Sequence, residues 1–113
     1  MRVDGTNMQV IRGDTEAVNV NVRDNSGVSV PFVEGDIVYF TVKKSIHDET
    51  EIFQKVITQF IDGSAHIEIS PADTKLSKPG VYYYDIQLSK ADGSVKTIIP
   101  PSRFEILGEV TDE

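Results

Sequence analysis

Two histidines, His47 in "SIHDET" and His66 in "SAHIEIS", are the side chains of this 113-residue sequence best suited to acid–base work near neutral pH. Ser45 and Asp48 flank His47 and supply the residue types of a nucleophile and an orienter, but their spacing matches no triad frame. Catalysis needs nucleophile, base and orienter converging in one concave site. His66 falls on the outward side of an alternating segment, so both histidines are expected to be solvated. Metal chemistry fares no better. The chain has no cysteine, and two separated histidines give no ligand spacing. "DNSG" (24–27) echoes the start of a calcium loop without the later ligands, and "DGSVK" lacks the length of a phosphate-cradling loop. The expectation is a non-enzymatic chain with no cofactor and no metal.

Arg12-Gly13-Asp14 is a tripeptide that adhesion proteins present at the tips of long loops. Here Val10 and Ile11 precede it and a valine-alternating segment follows. Gly13 is therefore expected as a kink between a first edge strand (8–12) and the next strand, at the root of a sheet.

The elements that must position these side chains share one pattern, period-2 alternation from end to end. In "AVNVNVR" (17–23), Val18, Val20 and Val22 share one face. "IVYFTVKK" (37–44) turns Val38, Phe40 and Val42 inward. "EIFQKVIT" (51–58) leaves its inward face open between Ile52/Val56 and Phe53/Ile57. Asp62-Gly63 is a hairpin signal, after which Ala65, Ile67 and Ile69 point inward. "SPADTKL" (70–76) is the one helical candidate, with Ser70 as cap, Pro71 at the first position and Asp73 reaching back. "VYYYDIQLS" (81–89) buries Tyr82, Tyr84, Ile86 and Leu88. "KADGS" turns the chain into "VKTII" (95–99), Pro100-Pro101 interrupts it at an edge, a bulge or a change of sheet, and "RFEIL" (103–107) closes the set. Seven to eight short strands at spacings near ten residues predict an all-β, two-sheet antiparallel β-sandwich.

"LSKPGVYYYDI" is the most specific segment. A leucine, a turn at Pro79-Gly80 and a tyrosine one residue into a strand have the form of a tyrosine corner, whose hydroxyl bonds to backbone a few residues upstream. Tyr82 takes that role, with Gly80 in the turn and Leu76 packed beneath the loop. Tyr39 and Tyr83 then face outward. They are either anchors of a protein interface or a pair across neighbouring strands.

Size and charge bound the rest. A chain of this length buries about 65% of its unfolded surface as one domain, here residues 1–108 with an acidic tail at 109–113. Eleven Lys+Arg against 18 Asp+Glu give a net charge of −7, which disfavours nucleic acid and anionic membranes. "MRVDGTNMQV" lacks the apolar stretch of a secretory signal, and no apolar run approaches the ~20 residues that span a bilayer. A soluble chain made in the cytoplasm is expected.

"IRGDT" before a valine-alternating strand, "DIVYFTVKK", "SAHIEISPADTKLSKPGVYYYDIQL", a "DGSV" hairpin and a closing "RFEIL" occur in an order spanning nearly the whole chain. In that order the chain resembles the small immunoglobulin-like modules of bacteriophage and prophage tails and baseplates. It is similar in particular to the N-terminal domain of baseplate upper proteins from phages of Gram-positive bacteria. The Pro31-Phe32 doublet departs from the small polar turn usual there. The resemblance implies an immunoglobulin-like, Greek-key form of the sandwich and a virion structural role: a module docked on other virion or tail proteins, or on copies of itself, without nucleic acid or membrane insertion. The alternative is an immunoglobulin-like carbohydrate- or protein-binding module of a bacterial surface protein.

Overall fold

The computed structural model describes residues 1–111. Alternation resolves into ten strands: β1 (Arg2–Asp4), β2 (Asn7–Ile11), β3 (Glu16–Val20), β4 (Val22–Arg23), β5 (Ser29–Val30), β6 (Ile37–Lys43), β7 (Phe53–Ile57), β8 (Ala65–Ile69), β9 (Gly80–Ser89) and β10 (Val95–Leu107). One helical turn, α1 (Pro71–Thr74), joins β8 to β9. Six strands form one sheet in the order β1-β2-β10-β9-β6-β7, while β3-β8 and β4-β5 pair separately. The fold is an all-β sandwich. Ten strands exceed the seven to eight expected because β1 and β5, two or three residues long, are too short for periodicity to reveal, and 17–23 divides into β3 and β4.

The inner face of the large sheet carries Met8, Val10, Val38, Phe40, Val42, Tyr82, Tyr84, Ile86, Leu88, Phe104 and Ile106. These pack with Val20 of β3 and Ala65, Ile67 and Ile69 of β8 into one core. At its centre Phe40 stacks on Tyr84 (5.2 Å) and Phe53 (6.0 Å), and Phe104 meets all three rings edge-on. Offset and edge-on ring pairs add to burial because the ring edge is positive and the face negative. Phe32 of the proline-phenylalanine doublet is buried in the same core and stacks on Phe60 at 5.1 Å, while Pro31 stays exposed. The open choice in 51–58 resolves to Phe53/Ile57, with Ile52 and Val56 exposed.

Three expectations are corrected. Residues 17–23 are not one strand. The ladder breaks at Asn21 because β3 pairs with β8 while β4 pairs with β5, and the Asn21 side chain accepts a hydrogen bond from Ser64. The 8–12 segment is not an edge. β1 lies outside β2, and β2 runs parallel to β10, against the all-antiparallel expectation. The chain crosses to the second layer at Gly13 (φ 85°), the kink between the two strands. Finally, 95–99 and 103–107 belong to one strand and not two, and of the three readings of Pro100-Pro101 the bulge is the one that holds. The strand's register against β9 slips between Thr97 and Ile99 and again between Ile99 and Ser102, because Pro100 and Pro101 bring no N–H to the ladder.

Turn chemistry holds the connections. Asp62 (φ 52°) and Gly63 (φ 76°) are both left-handed, as a type I′ turn requires. A Cβ on Gly63 would lie 2.5 Å from the Pro31 Cβ, so glycine is needed there twice over. In α1, Asp73 accepts hydrogen bonds from the Ser70 N–H (2.7 Å) and hydroxyl (3.0 Å) and pairs with Lys55 at 2.8 Å.

Candidate functional site

Covering only the inner face of the large sheet leaves its outer face open, and the register decides what meets there. Thr41 of β6 lies opposite Gln54 of β7 on one side and Asp85 of β9 on the other. Lys43 lies opposite Tyr83, and Tyr39 opposite Val56 and Gln87. Pro101 adds a wall where the slipped ladder opens beside β9. The result is a groove of about 250 Å³ lined by Thr41, Lys43, Gln54, Tyr83, Asp85 and Pro101, among others.

The groove is polar and partly organised. Gln54 donates to the Thr41 hydroxyl at 3.0 Å. Gln87 makes only a long contact, 3.5 Å, with the Asp85 carboxylate. Burial pushes the Asp85 carboxyl above the usual carboxylate range, and the Lys43 ammonium partly counters it. Its carboxylate thus keeps acceptor positions facing the groove. Among the described residues the Tyr83 hydroxyl has no hydrogen-bond partner. A half-exposed aromatic face beside a carboxylate, two amides and a hydroxyl can stack on a ligand and hydrogen-bond it in both directions.

Tyr83 therefore lies in the groove. Tyr39 does not: its register line is four residues from Tyr83's, about 13 Å along the strands, and it sits beside Val56 at the rim. The two tyrosines do not pair with each other. The Tyr82 hydroxyl donates to the Lys78 carbonyl at 2.6 Å, Gly80 takes φ 155°, and Lys44 Nζ lies 4.6 Å from the centre of the Tyr82 ring. Leu76 is a correction. It is 97% exposed, because the single turn of α1 directs Thr74 inward and leaves Leu76 beyond it, facing solvent. Buried Thr74 takes the place beneath the loop, and its hydroxyl accepts the Gly13 N–H at 2.9 Å.

That bond also fixes the Arg-Gly-Asp segment at a sheet root. Arg12 pairs with Glu109 at 2.7 Å, and Lys75 lies 3.6 Å from the same carboxylate. The Arg12 guanidinium holds Glu109 below the usual range. The acidic tail is thus anchored at its first residue; Asp112 and Glu113 lie outside the described residues. His47 and His66 are both exposed, on a loop and on the outward side of β8. Among the described residues no three His, Cys, Asp or Glu side chains cluster for a metal, and no helix is long and apolar enough to cross a membrane.

Sequence reasoning missed the groove. Asp85 was visible as an outward residue, but the register slip that opens space beside it depends on where β9 and β10 pair. No family model, curated protein or solved structure matches the chain.

Proposed function

We propose that this chain is a non-enzymatic interaction module of a phage or prophage particle, docking a neighbouring tail or baseplate protein through the outer face of its large sheet. The observation that carries the reading is that face itself, uncovered by the second layer and holding the Tyr83–Asp85 groove. The ordered motifs that resemble tail and baseplate modules support the particle assignment, and the immunoglobulin-like Greek-key topology belongs to the same proposal. The net charge of −7 favours solubility at high local concentration. The test is to induce the strain carrying the gene, purify particles by density gradient and look for the chain by mass spectrometry, with a photo-crosslinking residue at Tyr83. Capture of a particle protein is expected. Particles that lack the chain would overturn the assignment.

A second reading, a carbohydrate-binding module of a bacterial surface protein, is favoured by the groove's chemistry. A carboxylate with open acceptor positions beside amides and a tyrosine ring suits vicinal hydroxyls and a sugar face. Glycan-array binding lost on Tyr83→Ala would rank it first.

A further inference from the structure

We propose that the β1 edge is a self-pairing strip, through which two copies join their large sheets into one continuous sheet about a two-fold axis at Val3. β1 is the outermost strand on its side of the sheet. Its three residues, Arg2, Val3 and Asp4, are all exposed. Val3 pairs in register with buried Met8. Its side chain therefore points to the core side, yet it remains 53% exposed. Arg2 and Asp4 point to the open face, and neither has an ion-pair partner among the described residues.

The hairpin fixes which backbone groups are available. Asp4 and Asn7 flank a two-residue loop with Gly5 at φ 61°, so they are the hydrogen-bonded pair of that ladder. One residue back, the Val3 N–H and C=O point away from β2, at the free edge. Antiparallel pairing about Val3 lets the two copies exchange both of these bonds. It places Val3 on the partner's Val3, Arg2 opposite the partner's Asp4, and Asp4 opposite the partner's Arg2. A two-fold interface must be complementary to itself, and this order of charges meets that condition. Short charged edges commonly guard a sheet against pairing. Here the charges alternate in the order that a second copy of the same edge neutralises.

The test is the mass of the whole chain by analytical ultracentrifugation over a concentration series reaching the millimolar range. Wild type is expected to show a reversible dimer. Arg2→Glu or Asp4→Arg alone turns both facing pairs repulsive and should weaken dimerisation at least tenfold, on the order of what two like-charge cross-strand pairs cost. The Arg2→Glu/Asp4→Arg double variant should restore it, and an equimolar mixture of the two single variants should form a heterodimer. A wild type that stays monomeric, single reversals without effect, or a double variant that remains monomeric would each overturn the proposal. A second measurement leaves the edge untouched. Because the chain has no cysteine, Arg103→Cys carries a single nitroxide on β10. Five strand spacings then separate the two labelled backbones, about 24 Å. A dipolar distance far from this value in the dimer would exclude β1 as the contact.

Discussion

Replacing Tyr82 by phenylalanine isolates one hydrogen bond. The ring is 4% exposed and keeps its packing, while the 2.6 Å bond to the Lys78 carbonyl is lost. A neutral hydrogen bond contributes about 0.5–1.5 kcal/mol, more if its partner is left buried and dry. At the middle of that range, a loss of about 1 kcal/mol is expected. With an unfolding entropy of about 2.1 cal/mol/K per residue, 113 residues carry about 0.24 kcal/mol/K, so the melting midpoint should fall by about 4 °C. Tyr83→Phe should change stability by less than about 0.5 kcal/mol, because its hydroxyl has no partner among the described residues. Leu76→Ala should be equally silent, since the side chain is 97% exposed. Urea and thermal melts of the three variants decide the matter. Equal losses at Tyr82 and Tyr83, or a Leu76→Ala loss matching a buried leucine, would refute both the strand register and the corner as described.

Gly63→Ala should cost about 2 kcal/mol or more, since it combines a left-handed residue with a contact against Pro31; Asp62→Gly, which relieves a strained non-glycine residue, should not. Asp85→Asn should stabilise the chain slightly at neutral pH. The folded pKa of Asp85 is raised, so its penalty is present above that pKa and vanishes below the unfolded value near 3.9, where denaturant melts of variant and wild type should converge. Asp73→Asn has the opposite sign. Burial works against the Asp73 carboxylate, but Lys55 and Ser70 outweigh it and hold its pKa down. Its stabilisation, about 1 kcal/mol at neutral pH, should be lost as pH falls from near 3.9 through the lower folded value.

Most of the core was legible because alternation assigns faces wherever one side is buried. Tyr82, Tyr84, Ile86 and Leu88 sort inward as Val38, Phe40 and Val42 do. Asp62-Gly63 announced its turn, since few dipeptides tolerate two left-handed residues in a row. Partner choice was not legible. Nothing local in "AVNVNVR" shows that its halves pair with β8 and β5, or that β2 runs beside β10. Leu76 failed for a related reason: one helical turn presents only one inward position, and Thr74 occupies it. Lys55, which looks misplaced on the Phe53/Ile57 side of β7, made sense only once Asp73 stood opposite.

Joining two sheets at β1 has a consequence for the groove. In an antiparallel pair the two-fold axis runs normal to the sheet, so both outer faces remain on the same side of the joined layer. The register line through Asp4, Asn7, Arg103 and Tyr83 passes one residue from the axis position at Val3. The two Tyr83 backbones therefore lie seven strand spacings apart, about 34 Å before twist. The pairing edge and the groove share no residue, since β2 separates them. A dimer would thus present two unobstructed grooves to one surface. Under the proposed function, simultaneous engagement would raise effective affinity without any new contact.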